Sequence, residues 1–466
     1  MSLLDLNHDI LLGICSLFKT RKSLLELALT CRTLHSVVIP AFLYERLDFP
    51  HHLDNPTSLV RFRSFVDAIR AADSVAAGAI RHIEVPDTEC LHSFWVESIP
   101  SMRNLCSVTI PEWVDPFLPL ILKQLSAMPH LHTLSLDVES YDCLGPLREL
   151  SGLRSLSVFL IEAAELTLDS ALGVVLLNSR DTLTILSLEN FEWQIPTCSA
   201  AMGELVWPNV VELDIWNNNE DSPMMDLNLT HHFPSVRQFG CTESMRWDRP
   251  FNAPFISRLL SLDAPLHLVT FAKGIGAPLR RIVVYAPDEY VELNSYLPPN
   301  IRSVTFDFGI TRTVDALRQL EGLAAVFHKV TYLAVDYQLQ DQLDSSDVIA
   351  KESALQSLSN LSVECLSLPW PLSKGKDLDR HEDRHSHMQE FAAAAFQLMP
   401  SLQFAALHSV YDHTTYWRRT VGAEGILSQS GFSQVSDEEG PDYLDYYEWR
   451  WRDQPEYTSE LDADHP

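Results

Sequence analysis

One short pattern of apolar residues recurs along most of the chain and constrains its fold more than any other feature. The pattern is apolar-x-x-apolar-x-apolar, and from residue 131 its starting positions step by 22, 30, 27 and 26 residues. The last three steps are 29, 33 and 39 residues, and between 236 and 279 both 259–264 and 266–271 match, which leaves the register open there. The clear copies start at Ile80, Leu105, Leu131, Leu153, Leu183, Val210, Val236, Leu279, Ile301, Val330, Val363 and Leu402.

Each copy predicts a short strand that follows a turn. The last two apolar residues of a copy lie two apart, so in a strand they point to the same face. Helix-like stretches lie between copies, at 117–128, 171–178, 314–327 and 389–399. One strand and one helix cannot bury their apolar faces alone, whereas stacked neighbours can. So many consecutive copies favour a curved solenoid of parallel strands with helices over an ordinary α/β domain whose strands are leucine-rich.

Over residues 80–410 the sequence resembles the leucine-rich-repeat family, whose repeats are about 20–29 residues long. The resemblance implies an α/β leucine-rich-repeat solenoid, preceded here by a small all-α module. Members of the family carry an asparagine two or three residues beyond the strand, which ties neighbouring turns together. Most copies here lack it, and Asn218 is the best candidate, so we expect irregular repeats.

The first fifty residues predict three short helices with more apolar surface than so small a unit can bury. Ile10 and Ile14 are spaced for one face of a first helix. Ser23 and Glu26 form a capping-box pair that would open a second helix, which carries leucines on two sides. A third apolar stretch covers 34–38. A surplus apolar face on such a unit indicates a bound partner.

This stretch resembles an F-box. The likeness lies in residues 9–14, in 24–32 and in 40–47. F-boxes usually open with Leu-Pro, whereas here Leu6 is followed by Asn7, so the proline is missing and one expected contact with the partner is weakened. The alternative is that these helices only cap the N-terminal end of the solenoid, as end repeats must be capped.

An F-box followed by leucine-rich repeats resembles the fungal-type members of the F-box and leucine-rich-repeat family, which are substrate-recognition subunits of SCF-type cullin-RING E3 ubiquitin ligases. The resemblance implies that the helices dock a Skp-family adaptor, and through it a cullin-RING ligase. The repeats would hold an unidentified target protein, so the chain would act by raising effective concentration. The adaptor-binding residues implied are Leu6, Ile10, Leu11, Ile14, Leu25 and Leu29. The alternative is a leucine-rich-repeat binding scaffold unconnected with ubiquitin.

Residues between the apolar positions of each copy, and just after them, are expected to form the exposed face of the strands. Acids stand beside aromatic residues there, which would suit a basic, partly apolar segment of a target protein. The candidate target-binding residues are Asp137, Glu189, Asp214, Trp216, Tyr285, Asp307, Asp336 and Trp370.

The charge of the chain argues against two classes of partner. With 34 basic and 63 acidic residues among 466, its net charge is −29. Such a field repels phosphates and acidic lipid surfaces, so we expect neither nucleic acid nor a membrane as partner. No apolar run approaches the ~20 residues that span a bilayer, and Asp5 and Asp9 stand where a secretory signal has basic residues. Eight scattered cysteines favour reduced thiols, and hence a cytoplasmic or nuclear location.

One histidine cluster is a candidate metal site. If residues 381–387 were helical, His381 and His385 would share a face with His387 nearby. No supporting cysteines or distant ligands are evident in the sequence, so we expect a solvated loop before a helix at Gln389, and no bound metal. No nucleophile elbow, phosphate-binding loop or dinucleotide fingerprint is present. We therefore expect a protein that is not an enzyme and needs no cofactor.

These features divide the chain into four parts. They are an F-box-like helical module (1–48), a linking helix (49–79), irregular leucine-rich repeats (80–410) and a C-terminal cap with an acidic tail (411–466). From residue 436 to the end there are eleven acids and two basic residues. The aromatic residues within 443–452 indicate that this segment packs onto the last repeat as a cap.

Overall fold

The computed structural model describes residues 7–15, 21–39, 42, 44–47, 56–70, 74–85, 92–111, 117–199, 203–217, 227–242, 250–285, 296–311, 329–339, 355–356, 358–370, 381–409, 414–421, 427–437 and 439–453. The chain divides into two compact units. Unit 1 comprises Met1–Val236 and Ser244–Arg246, and unit 2 comprises Arg237–Glu243 and Trp247–Pro466. Both consist of short parallel strands joined by helices or turns, which confirms the predicted leucine-rich-repeat solenoid with helices at its N-terminus.

Unit 1 begins with helices and continues as a ladder of parallel strands. Its helices are α1 (His8–Cys15), α2 (Arg21–Thr30), α3 (Arg32–Val38), α4 (Pro56–Arg70), α5 (Val75–Ala79), α6 (His92–Ser98), α7 (Leu118–Leu125), α8 (Ala171–Asn178) and α9 (Leu229–His232). Its strands are β1 (Arg46–Leu47), β2 (His82–Glu84), β3 (Ser107–Ile110), β4 (Thr133–Val138), β5 (Ser155–Leu166), β6 (Ile185–Trp193), β7 (Cys198–Ser199), β8 (Gly203–Glu204) and β9 (Glu212–Trp216). The ladder runs β1-β2-β3-β4-β5-β6-β9, and β7 and β8 form a separate antiparallel pair.

The apolar pattern sets the register of this ladder. Leu134 of β4 pairs with Leu156 of β5, which pairs with Leu186 of β6 and then Leu213 of β9. All four are fully buried, so each strand places its leucine directly beside that of the next. Helices cover this buried side: α7 alone contributes four buried aliphatic residues.

Unit 2 repeats the arrangement and ends differently. Its helices are α10 (Ala253–Ile256), α11 (Leu266–Gly274), α12 (His381–Leu398) and α13 (Gly440–Trp449), the last continued by a 3-10 turn at Arg450–Asp453. Its strands are β10 (Gln238–Cys241), β11 (Ser261–Pro265), β12 (Arg281–Tyr285), β13 (Ser303–Thr311), β14 (Tyr332–Leu339), β15 (Cys365–Trp370), β16 (Phe404–Ser409), β17 (Thr414–Val421) and β18 (Leu427–Val435). Strands β10 to β16 are parallel, whereas β17 and β18 are antiparallel additions.

The structure resolves the open register between 236 and 279. The copy at 259–264 supplies β11, whose Leu262 pairs with Phe239 and Ile282 of the neighbouring strands. The competing segment at 266–271 lies in α11. Pro265 stands immediately before that helix, where its fixed φ suits the turn and its missing N–H costs nothing.

Local signals located some helices correctly and misplaced others. Helix α8 has the predicted bounds because Ser170 caps it, its Oγ accepting from the Gly173 N–H at 3.1 Å. Helix α2 begins at Arg21, so Ser23 lies within it and the predicted capping box is wrong. The helix predicted to begin at Gln389 begins at His381, so the loop expected there is helical. The predicted helix at 314–327 lies outside the described residues.

Two other asparagines stand at the position predicted for the repeat-linking asparagine. Asn218 lies outside the described residues, but Asn190 and Asn217, each two residues beyond an apolar strand position, are buried. The Asn190 side-chain amide donates to the Leu160 carbonyl of the preceding repeat at 2.6 Å, and its φ of 61° lies in the left-handed region that asparagine tolerates. Asn190 therefore links neighbouring repeats, the role predicted for Asn218.

Candidate interaction surfaces

Helices α1 to α3 form a small module with its own core. Cys15, Leu24, Ala28 and Val38 are buried against one another, and Leu11 is 4% exposed. Helix α3 starts after Cys31, whose sulfur accepts from the Leu34 N–H at 3.5 Å. The short helices are thus held by packing more than by propensity, since isolated helices of this length are marginal in water.

Among the described residues of this module, three aliphatic side chains are left outside the core. Ile10 is 51% exposed, Leu25 44% and Leu29 70%. Leu25 and Leu29 stand one turn apart on α2 and share a side of it. Of the other predicted adaptor-binding residues, Ile14 is half-buried, Leu11 serves the core, and Leu6 lies outside the described residues.

These exposed residues offer a docking area of useful size. Covering a half-exposed leucine or isoleucine contributes about 1 kcal/mol, so the three together offer about 3 kcal/mol to a partner. A module this small has little internal stability of its own, which makes an apolar surplus costly unless something covers it.

The side chains that alternate with the buried leucines form what we call the strand face of each unit. In unit 1, one row across it runs Asp137, Phe159, Glu189 and Trp216, each in register with the next. Asp137 is exposed and the other three are half-buried. Phe159 was missed in the sequence analysis, although it follows Val158 just as Asp137 follows Leu136.

The adjacent row of the unit 1 strand face is hydroxylic and acidic. Ser135, Ser157 and Ser187 stand in register and lead to Asp214 on β9. All four are half-buried. Four of the eight predicted target-binding residues, Asp137, Glu189, Asp214 and Trp216, therefore lie on two neighbouring rows of one surface.

In unit 2 the corresponding row contains Tyr285, Asp307 and Asp336, in register across β12 to β14. The Tyr285 hydroxyl donates to the Asp263 carboxylate. Burial raises the pKa of Asp263 to about 6, and burial together with the Asp263 charge raises that of Tyr285. Asp336 is exposed, and the side chain of Trp370, at the end of β15, lies outside the described residues.

Much of the unit 2 strand face is covered by α13 and the turn that follows it. Glu448 accepts from Nε and Nη2 of Arg281 at 2.8 and 2.5 Å. The Trp449 ring lies 4.4 Å from the Arg281 guanidinium carbon, and Arg281 Nη1 donates to Ser261 Oγ at 3.1 Å. The Arg281 side chain is only 12% exposed, so this ion pair is largely removed from water.

The cover extends over the neighbouring strands. Phe404 of β16 stacks on Tyr443 and Tyr447 with ring centroids 5.3 and 6.1 Å apart. At the other end, Arg452 donates to the Gln238 side chain of β10 at 2.6 Å. Cys365 beneath the helix is fully buried, which raises the pKa of its thiol.

One pairing on this face involves a hydroxyl and an imidazole. The Ser367 Oγ and His408 Nε2 atoms are 2.5 Å apart, and His408 Nδ1 faces Thr414 Oγ1 at 2.9 Å. Burial lowers the pKa of His408. A serine nucleophile needs a histidine oriented through Nδ1, usually by a carboxylate. Here a threonine takes that place and Ser367 is 4% exposed, so the pair is a buried polar contact.

The histidine cluster falls on α12, where His381 and His385 are one turn apart, and their side chains lie outside the described residues. In the part of the chain that the structure describes, no group of three or more His, Cys, Asp or Glu side chains is arranged to hold a metal ion. Within the same residues, no helix combines the length and apolar character needed to cross a membrane.

Comparisons with known proteins give only distant similarities. No family model matches the sequence, and no curated protein matches it. A chain in the crystal structure of the Rad7 and Elc1 complex in yeast is 12% identical with a TM-score of 0.40, covering 82% of this chain and 99% of that one. An internalin from Listeria monocytogenes is 12% identical with a TM-score of 0.28, covering 74% and 88%. At these values the fold assignment rests on the strand pairing described above.

Proposed function

We propose that this chain is the substrate-recognition subunit of an SCF-type cullin-RING ubiquitin ligase. Helices α1 to α3 dock a Skp-family adaptor, and the strand face of unit 1 holds a target protein. The chain then acts by keeping the target close to the catalytic subunits, which raises effective concentration and asks no chemistry of its own residues.

The observation that carries this proposal is the exposure of Ile10, Leu25 and Leu29 on a module whose own core is small. An F-box, which residues 9–47 resemble, needs such a face for its adaptor. Helices that only capped the solenoid would turn their apolar side chains inward, against the repeat.

The unit 1 strand face supports the target-binding half of the proposal. The two rows described above place acids beside Phe159 and Trp216. Aromatic anchors with acids around them fit a segment that carries both apolar and basic side chains. Asp137, Glu189, Asp214 and Trp216 are the residues that we assign to this contact.

Co-expression with a Skp-family adaptor tests the docking half. Removing residues 1–48 would also remove β1, which pairs with β2, so a truncation disturbs the ladder as well as the module. Point variants are cleaner: Leu25→Lys and Leu29→Lys place charge on exposed positions and leave the core alone. Leu120→Lys is a matched control, because Leu120 is 50% exposed on α7.

The expected result is co-purification of adaptor with the full chain and with Leu120→Lys, and its loss in the double variant Leu25→Lys/Leu29→Lys. If the full chain folds and ignores the adaptor, the ligase proposal fails. The alternative is then a leucine-rich-repeat scaffold unconnected with ubiquitin. Such a scaffold should bind its target without an adaptor, and Leu25→Lys and Leu29→Lys should not change that binding.

A further inference from the structure

Arginines recur at the position just before the strands of unit 2. The Arg237 carbonyl accepts from the N–H of Leu260, the Leu260 carbonyl from Arg280, and the Arg280 carbonyl from Arg302, at 2.8 Å in each case. Arg237, Leu260, Arg280 and Arg302 therefore occupy equivalent positions in successive strands, joined by backbone hydrogen bonds, and three of these four residues are arginines. Arg258 stands two residues before the Leu260 rung. We call Arg237, Arg258, Arg280 and Arg302 the arginine strip.

Two members of the strip have nitrogen atoms that lack acceptors. Nε and Nη2 of Arg258, and Nε of Arg302, are buried and make no hydrogen bond within the described part of the chain. A guanidinium remains charged at any ordinary pH, so it cannot relieve this by losing a proton. Buried donors without acceptors are rare in folded proteins, and an oxyanion is the usual partner of such nitrogens.

The strip also brings like charges together. Arg237 Nη1 donates to the Arg258 carbonyl at 3.4 Å, which places the two side chains close. Burial and the Arg237 charge both lower the pKa of Arg258. Arg302 Nη1 donates to the Lys329 carbonyl at 3.5 Å.

We propose that the arginine strip binds an extended acidic segment of the target protein. Neighbouring strands are about 4.8 Å apart, so the strip from Arg237 to Arg302 spans about 14 Å, the length of about four or five extended residues. Three carboxylates at alternate residues of such a segment span about 13 Å, close to the length of the strip, and each can accept from a guanidinium in the bidentate geometry that lysine lacks. That the segment belongs to the target protein rests on the proposed function, whereas the binding of an acidic segment to the strip does not.

The unit 1 ladder offers a matched control. Arg154 occupies the equivalent rung there, since its carbonyl accepts from the N–H of Thr184 and Ile185. The probe is a fluorescein-labelled peptide of about eight residues with alternating glutamates. Its companion has glutamine in place of glutamate, and fluorescence polarisation reports binding of each to the full-length protein.

We expect the glutamate peptide to bind, the glutamine peptide not to bind, and added salt to weaken the complex. Arg258→Gln and Arg302→Gln should each lower affinity about tenfold, which corresponds to about 1.4 kcal/mol, and Arg154→Gln should leave it unchanged. The acidic-segment site is overturned if the glutamate peptide does not bind, or binds Arg258→Gln/Arg302→Gln as tightly as the parent.

A second measurement separates binding from a structural role. Because Nε and Nη2 of Arg258 lack acceptors in the described residues and the Arg237 charge lies nearby, Arg258→Gln should hold or raise the melting temperature, whereas a structural arginine would lower it. Adaptor co-purification should be unchanged in both strip variants. If a strip variant loses peptide binding but still binds the adaptor, the result concerns the arginine strip alone. If the parent protein does not bind the adaptor, the proposed function fails, and the strip is still tested by the peptide.

Discussion

The contact between α13 and the unit 2 strand face can be tested through one ion pair. Glu448→Gln keeps the size of the side chain and removes its charge. Arg281 then keeps its charge, its contact with Trp449 and its bond to Ser261, but loses the carboxylate that accepts from two of its nitrogens. The substitution should loosen α13 from β12 without emptying any part of the core.

The magnitude follows from the burial of the pair. Breaking a fully buried ion pair by removing one partner costs about 3–5 kcal/mol, whereas an exposed pair contributes about 0–1 kcal/mol. The two side chains are 12% and 21% exposed, which is nearer the buried limit. We therefore expect a loss of about 2–3 kcal/mol in the free energy that holds α13 in place.

Cys365 reports this opening directly. It is fully buried beneath α13, and burial raises the pKa of its thiol, so labelling requires the cover to open. A loss of 2–3 kcal/mol corresponds to about a 30- to 150-fold faster reaction with a maleimide, measured by mass spectrometry of the Cys365 peptide. Cys15, 1% exposed in the N-terminal module, should react at its parent rate.

Two outcomes would refute this reasoning. Equal Cys365 labelling in the parent and Glu448→Gln would mean that the pair does not hold the cover. Faster labelling of Cys365 and Cys15 together would mean general unfolding. Asp445→Asn, an exposed acid on the same helix, controls for lost charge and should change neither rate. Arg281→Met/Glu448→Met should restore slow labelling, because apolar residues can replace a buried pair at little cost.

Two further predictions concern the stability of unit 1. Asn190→Ala should lower the free energy of unfolding of unit 1 in urea by about 2–4 kcal/mol, because the hydrogen bond to Leu160 is lost and alanine disfavours the left-handed φ. Asn190→Gly loses only the hydrogen bond, so it should cost about 1–2 kcal/mol. Equal losses in the two variants would show that the left-handed φ contributes nothing. Burial lowers the pKa of His232 from 6.5 to about 4, so the folded state binds fewer protons than the unfolded chain in that range. Stability should fall as the pH drops from 6.5 to 4, by at most about 3 kcal/mol, and His232→Phe should flatten this part of the profile; an unchanged slope would contradict it.

The apolar pattern was enough to predict the ladder because spacing alone fixes which face each residue takes. Leu134, Leu156 and Leu186 were identified from their spacing, and they pair in that order. Helix boundaries were less predictable, since they depend on contacts distant in sequence. Helix α12 begins eight residues before the expected Gln389, within a polar stretch whose composition favours a loop.

The candidate surfaces were predictable in part. Spacing and the F-box resemblance identified the exposed Leu25 and Leu29, but also Leu11, which is buried. Its neighbour Ile10 is exposed, so a step of one residue along a short helix decides between core and surface. The arginine strip was not foreseen. Its members are about 20 residues apart in sequence, and only strand register makes Arg280 and Arg302 neighbours.

The two strand faces differ at positions where their backbones are equivalent, and this difference bears on where a target can bind. Ser135, Ser157 and Ser187 occupy the middle row in unit 1, whereas the middle row of unit 2 runs Val283, Thr305, Ala334, Ser367 and Ala406, so apolar side chains interrupt its hydroxyls. Ala334 and Ala406, together with Tyr332 and Phe404 in the neighbouring row, would be an exposed apolar patch if they faced water, so they need a cover, and α13 supplies it. A hydroxyl row needs none, because water satisfies it. The residues that alternate with the leucines therefore indicate which surface is closed by the chain itself, and they direct a search for the target-binding contact to Asp137, Glu189, Asp214 and Trp216.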